Sequence, residues 1–366
     1  MNIAVLLDGT WRDREDGTNI AQLWERLTPE DSLAAAQRVH YNPGVGTSGG
    51  VWSRLTGGAL GHGLEDDITD SYRFIAEHHH SEDDRICLLG YSRGAFSARS
   101  LAGMIAKCGL VDPSDMSAKE VFARYQRNKD APGLQEMQNG EAPPVTAEDR
   151  LILERSRLVR ISFIGLFDTV GRLGIPGGIG RALSRRRYQF HDTALSGLID
   201  HACHAVAIDE HRKQFAPTLW TGAPTPSSHG TPTIEQRWFI GSHSNIGGGT
   251  FKDGTSTDDT NTLSALSREW IAERASAAGL EIKPPTSPLT GEEWRGPIRA
   301  SFSRFLGGLG QFLPGNKPYL RPVRTAVGET LDSSILSRWG PEDPPYQPNN
   351  PNLSSWVQET AAGRAE

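Results

Sequence analysis

The stretch Ile86-Cys-Leu-Leu-Gly-Tyr-Ser-Arg-Gly-Ala-Phe-Ser-Ala-Arg-Ser100 decides the fold. Its opening is an apolar run with the length of a buried strand, and from Ala95 onward it reads as a helix. Between the two lies Gly90-Tyr91-Ser92-Arg93-Gly94, a G-x-S-x-G pattern. A strand that passes straight into a helix through such a turn lifts the serine hydroxyl clear of the sheet, with glycines where side chains would collide. A plain tight turn with Ser92 capping the helix uses the same residues. The nucleophile reading therefore rests on strand, turn and helix occurring together.

Working outward, similar apolar runs at 3–7, 159–167 and 237–240 read as strands, with a weaker one at 38–41. Helical patterns at 64–79, 94–108 and 262–278 separate some of them. Strands alternating with helices predict an α/β fold, a mainly parallel sheet with helices on both faces. In such sheets the working loops leave the carboxyl ends of the strands. Those ends here carry Asp8-Gly9-Thr10, Ser92, Asp168-Thr169 and Gly241-Ser242-His243. Residues 112–157 are polar and read as a helical insertion. Residues 171–200 open on a Gly/Pro loop and carry Arg181, Arg185, Arg186 and Arg187. From 283 the chain is rich in Pro, Gly and Trp and is expected to wrap the surface. No linker divides it, so residues 1–366 read as a single domain with cap insertions near 110–157 and 171–200 and a wrapping segment at 283–366.

Composition narrows the class. The 366 residues hold 38 basic and 44 acidic side chains, a formal net charge of −6, which gives no general pull toward nucleic acid or anionic lipid. Cys87, Cys108 and Cys203 form neither a disulfide framework nor a CxxC zinc pattern. The N-terminal run lacks the basic flank and length of a signal peptide, and no stretch reaches the roughly 18 apolar residues of a membrane span. These features lead to an expectation of a cytoplasmic, enzyme-like globule without nucleic-acid partners.

A serine needs a base to take its proton, and the base needs an orienting acid. In α/β-hydrolases the chain order is serine, acid, histidine. Asp168 ends the run Ile161-Ser-Phe-Ile-Gly-Leu-Phe167 and is the expected acid. Eleven histidines compete for the base. His78, His79 and His80 close a helix, His201 and His204 fall on a helical pattern, and His211 follows Asp209-Glu210. His243 instead follows a strand and precedes Gly247-Gly-Gly, where close backbone approach and positive φ are allowed. The oxyanion hole needs two backbone N–H groups. Arg93, after the nucleophile, supplies one, and Gly9 or Thr10 the other, unless Asp8 bonds locally and shapes that loop. Gly90 and Gly94 shape the turn itself.

The motifs LLDGTW (6–11), YNPGVGT (41–47), LLGYSRGAFSAR (88–99), GLFDTVG (165–171), FHDTALS (190–196), HAVAIDEHRKQF (204–215), WFIGSHSNIGGG (238–249) and SSILSRW…YQPNN (333–350) occur in this order. Together they resemble the DUF2235 family of α/β-hydrolases, which includes the catalytic domain of the Tle1 phospholipase effectors of type VI secretion. The resemblance implies a Ser92–Asp168–His243 triad, a phospholipase A-like ester hydrolase and export as a type VI effector. It also draws attention to Asp209, Glu210 and Arg212, expected as a buried ion-pair cluster bracing the site.

Rival readings fit less well. Asp8-Gly9-Thr10 also fits a haloacid-dehalogenase phosphatase, but the nucleophilic Asp required two positions earlier is Leu6. The Gly-rich stretches 57–63 and 174–180 lack G-x-G-x-x-G after a strand and read as lid or entrance loops. Asp258-Asp259 fits a metal site, but a helix cap ahead of residues 263–278 is the simpler reading. The basic run 181–187 fits either phospholipid head groups, hence a peripheral membrane contact, or a solvated helix face. The expectation is a serine hydrolase acting on an ester or lipid substrate, needing no cofactor and no metal. The alternatives are an esterase on small soluble esters and a binding module whose triad is silent.

Overall fold

The computed structural model describes residues 1–9, 14–27, 37–44, 57–127, 130–170, 195–226, 230–249, 262–302, 317–340 and 345–363. Along the chain run β1 (Asn2–Leu7), α1 (Asn19–Leu27), β2 (Gln37–Asn42), α2 (Gly57–His78), β3 (Arg85–Tyr91) and α3 (Arg93–Cys108). Three short helices follow: α4 (Ala118–Gln126), α5 (Leu134–Gln138) and α6 (Ala147–Arg155). Then come β4 (Ile161–Phe167), β5 (Ile199–Ala207), β6 (Thr233–Phe239), α7 (His243–Gly247) and α8 (Thr262–Ala277). The C-terminal part adds β7 (Glu329–Leu331), α9 (Ser333–Arg338) and α10 (Leu353–Ala362).

The seven strands form one parallel sheet in the order β2-β1-β3-β4-β5-β6-β7. Side chains alternate across it. Ile3, Val5 and Leu7 of β1, with Ile86 and Leu88 of β3, join one core with Ile68, Tyr72 and Ile75 of α2 and Leu101, Met104 and Ile105 of α3. Ala4, Leu6, Cys87 and Leu89 face the opposite core, against Ile20 and Leu23 of α1 and Trp270 and Ile271 of α8. Burial on both faces explains why these strands are continuous apolar runs. The strand order reverses between β1 and β3, which opens a crevice at their carboxyl ends. The Asp8 and Ser92 loops lie there.

The α/β fold is as read from the sequence, with three local differences. Residues 199–207 form β5, where His201 and His204 suggested helix. Its alanines favour helix locally, but pairing with β4 and β6 on both edges overrides that preference. Residues 57–63, read as a lid or entrance loop, are the first turns of α2. The short edge strand β7 carries no apolar run, because it pairs only with β6 and stays half-exposed. In the 112–157 insertion, Val121, Phe122, Leu134, Met137 and Ile152 share the core of α2 and α3. The antiparallel bridge Leu110–Arg157 closes its ends. The Arg181–Arg187 run, the 174–180 loop and Asp258-Asp259 lie outside the described residues.

The C-terminal segment does more than wrap. Val323, Ile335, Leu353, Trp356 and Val357 build a third core with Val206, Ile208 and Trp238. Among the described residues no helix is long and apolar enough to cross a membrane, and no three His, Cys, Asp or Glu side chains gather as a metal site.

Candidate active site

β3 runs into α3 through Ser92, whose φ of 57° and ψ of −114° lie outside the usual region for an L-residue. Its N–H donates to Phe167 O at 2.9 Å, fastening the turn to β4. Gly90 and Gly94 make the turn possible. A Cβ on Gly90 would stand 2.6 Å from Ala95 Cα, and one on Gly94 would stand 2.0 Å from Leu7 O. The Ser92 side chain makes no capping bond to α3. The hydroxyl points instead to His243, whose Nε2 is 2.9 Å from Ser92 Oγ.

His243 is the first residue of α7 and is 5% exposed. Gly241, with φ of 113°, turns the chain out of β6, where a Cβ would meet Asn245 Cβ at 2.5 Å. Tyr91 and Phe215 flank the imidazole, each with ring centroids 5.0 Å away. Nδ1 lies 2.6 Å from Asp168 Oδ2. Asp168 follows β4 with φ of 42°, so both Ser92 and Asp168 hold positive φ at the ends of neighbouring strands. Such strain gathers where function fixes the backbone. The structure thus brings the three residues expected as the triad into one hydrogen-bonded line.

Asp168 is fully buried, and its carboxylate is saturated. Oδ1 accepts from Ala207 N at 3.0 Å and from Arg321 Nη1 at 2.6 Å, and Oδ2 accepts from Arg321 Nη2 at 3.0 Å. Burial alone would push this carboxyl up. The Arg321 charge and the bonds from His243 and Arg321 outweigh it and hold the carboxyl well below the ordinary carboxylate range. Burial pushes the His243 imidazole down, against the pull of Asp168, which favours the neutral ring at neutral pH. With Nδ1–H facing the carboxylate, Nε2 is free of a proton and can accept one from Ser92. Arg321 stands in no sequence motif, and its approach to Asp168 exists only after folding.

The Asp209, Glu210 and Arg212 cluster is different from the expected one. Glu210 is fully buried, pairs with Arg212 Nε and Nη2 at 2.8 Å each, and accepts from His243 N at 3.3 Å. Arg212 also stacks over the Phe215 ring at 3.6 Å. Asp209 is no part of that ion pair. It accepts from Gly241 N at 2.7 Å and from the Tyr346 hydroxyl at 3.0 Å, and burial pushes its carboxyl up. The reason is direction: neighbouring residues leaving a strand project to opposite sides.

The β1 loop also departs from expectation. Gly9 N, expected as an oxyanion donor, donates to Asp8 Oδ1 at 2.6 Å. Asp8 Oδ2 accepts from Thr18 Oγ1 at 2.5 Å and Tyr41 OH at 2.9 Å, so Asp8 shapes the loop. Thr10 lies outside the described residues. Arg93 opens α3 directly after Ser92. Behind the site, His204 of β5 accepts from Thr169 N at 3.0 Å. Burial, then the nearby Arg99 charge, push its imidazole to about 3.

The chain is 31% identical over 242 residues to the Saccharomyces cerevisiae protein YEL023C, a match covering 61% of this chain and 33% of the yeast protein, so the match spans about a third of that relative. A crystal structure of a Pseudomonas aeruginosa protein is similar at 17% identity and TM-score 0.44, covering 82% of this chain and 49% of that one. A Tle1 effector solved bound to the VgrG spike of the type 6 secretion system is similar at 17% identity and TM-score 0.40, covering 76% and 60%. The family model described as "T6SS, Phospholipase effector Tle1-like, catalytic domain" matches residues 1–274. The chain belongs to this Tle1-like family of type VI phospholipase effector catalytic domains.

Proposed function

We propose that this chain is a serine hydrolase that cleaves carboxylic ester bonds of lipids, phospholipids above all. Ser92 is its nucleophile, His243 its base and Asp168 its orienting acid. The observation that carries the reading is the unbroken line from Ser92 Oγ to His243 Nε2 at 2.9 Å and from His243 Nδ1 to Asp168 Oδ2 at 2.6 Å. A lipid substrate is supported by the description of the family as phospholipase effectors. The same reading takes the chain as one hydrolase domain, with the insertions and C-terminal segment built around it.

In the proposed reaction Ser92 Oγ attacks the ester carbonyl carbon while its proton passes to His243 Nε2. Asp168 holds the imidazolium through Nδ1–H. The tetrahedral intermediate collapses, and the departing alkoxide takes the proton from Nε2, leaving an acyl-enzyme. Water then attacks the acyl carbon as its proton passes to Nε2. The second tetrahedral intermediate collapses, the bond to Ser92 Oγ breaks, Oγ takes the proton back from Nε2, and the fatty acid leaves. The Arg93 N–H is one oxyanion donor in this reading, and the β1 loop supplies the other. Gly9 could serve only after its N–H leaves Asp8. All protons and electron pairs move between groups of the chain, substrate and water, so the scheme uses no cofactor.

The hold of Asp8 on Gly9 favours a second reading, a binding module with a silent triad. A serine-reactive fluorophosphonate probe separates the two. Labelling of the folded protein that disappears in Ser92→Ala is expected, and folded protein that takes no label would sink the enzyme reading. Phosphatidylethanolamine vesicles and p-nitrophenyl butyrate, assayed side by side, then define the substrate class. Turnover of the short ester alone would reject the lipid assignment.

A further inference from the structure

Arg321 lies outside the residues 1–274 that the family model matches, on an irregular segment of the C-terminal part. Several bonds seat that segment. Tyr319 N donates to His211 O at 2.8 Å, Asn350 Nδ2 donates to both Arg321 O and Ile208 O, and Val323 packs into the third core. The guanidinium is thereby carried under the site, where it is fully buried. Nη1 reaches Asp168 Oδ1 and Ala207 O, while Nη2 reaches Asp168 Oδ2 and Phe215 O. Two parallel N–H···O bonds fix the plane of a carboxylate as one bond cannot.

Stability alone does not account for this residue, although removing one partner of a buried ion pair costs about 3–5 kcal/mol. Its Nε has no hydrogen-bond partner, and a buried donor left unpaired costs about 1–3 kcal/mol. Buried ion pairs replaced by apolar groups of similar volume are often no less stable. What the guanidinium does supply is aim and charge at the one carboxylate that meets His243.

Resting on the serine-hydrolase reading, we infer that Arg321 is a positioning residue of the Ser92–His243–Asp168 line. Its two-pronged hold fixes the Asp168 carboxylate plane and sets the charge balance around the base. The charged and titratable groups around the base come from every side. Asp168 follows β4, His204 lies on β5, and Glu210 and Arg212 follow β5. Arg99 of α3 faces His204, and Arg321 arrives from the C-terminal part. Asp168 and Glu210 favour the imidazolium, and Arg212 opposes it. Arg321, bound to both oxygens of Asp168, places a positive charge behind that carboxylate, which opposes its pull on the imidazole.

The two consequences have opposite signs, which makes the inference testable. Losing Arg321 should free the Asp168 carboxylate to rotate, which slows the reaction. It should also remove a positive charge near the imidazole, which raises the pH at which His243 becomes neutral. Arg321→Met and Arg321→Lys are compared with wild type in the full chain. The fraction of competent sites is counted with the fluorophosphonate, and His243 is followed by 15N NMR and assigned by its loss in His243→Asn.

For Arg321→Met the expected His243 midpoint moves up by about one pH unit. The kcat per labelled site should fall about 10- to 100-fold with KM little changed. Arg321→Lys keeps the charge but not the paired bonds, so its midpoint should stay near wild type while kcat falls about tenfold. An unmoved midpoint in folded Arg321→Met would overturn the inference. If Arg321→Met does not fold, wild-type kcat per site in Arg321→Lys would overturn it instead. The NMR midpoint needs no turnover, so a silent triad would leave this test intact while removing the function proposed above.

Discussion

Gly94 and Leu7 are in backbone contact across the site: a Cβ on Gly94 would stand 2.0 Å from Leu7 O and 2.5 Å from Asp8 O. The first turn of α3 is therefore pressed against the end of β1, and the Ser92 turn is braced from outside its own strand. Neither backbone can yield without moving the sheet. Gly94→Ala is expected to destabilise the protein by about 3 kcal/mol, at the upper end of overpacking costs. Urea unfolding measures it, and a loss under about 0.5 kcal/mol would show that the contact relaxes.

Asp168 both orients His243 and stabilises its charged form in the proposed mechanism. Asp168→Asn presents an amide where Arg321 and Nδ1–H each require an acceptor, so the imidazole adopts the wrong tautomer. On the pattern of Ser-His-Asp enzymes, kcat should fall on the order of 10⁴-fold. Steady-state kinetics on a p-nitrophenyl ester checks this, and a fall of less than tenfold would remove Asp168 from the mechanism.

Arg212 grips both oxygens of Glu210 and stacks on Phe215, whose edge meets His243. Lysine can offer neither the fork nor the flat face. Arg212→Lys should lower kcat about 10-fold, on the scale of small misplacements in an active site, while KM stays near wild type. Equal changes in kcat and unfolding midpoint would show a loss of folded protein instead.

Burial holds His204 neutral to about pH 3 in the folded state, against an ordinary imidazole value near 6.5. The unfolded chain then binds a proton that the folded chain refuses, so stability falls as pH drops below 6.5 and continues to fall toward 3. The slope for one such group is at most about 1.4 kcal/mol per pH unit. His243 is shifted the same way and adds to it. Unfolding free energies at pH 7, 6 and 5 should decline, and His204→Gln, which can still accept from Thr169 N, should flatten the decline. A variant that keeps the full slope would place its origin elsewhere.

Asp149 pairs with Arg124 at 2.9 Å, both side chains fully buried, within the 112–157 insertion. Arg124→Met leaves a buried carboxylate with fewer partners and is expected to cost about 3–5 kcal/mol. Because this pair lies away from the Ser92 line, kcat per labelled site should stay at the wild-type value. A drop in kcat per site would tie the insertion to the chemistry.

Local chemistry made part of this protein legible in the chain. Residues 86–100 form strand, turn and helix because a buried apolar run, two glycines and a helix-forming segment each leave one option. The same holds for Asp168 and His243, which end apolar strands and so must lie on the loop edge of the sheet. Two features were decided only by the fold. β5 is a strand because its neighbours pair with it on both sides, although its alanines favour helix. Arg321 meets Asp168 across 153 positions of sequence, carried there by a segment seated on the third core beside β5 and β6. Periodicity and turn chemistry act over a few residues, so the sequence marks where a strand ends. Which distant charge will be buried against that end depends on how the whole chain packs.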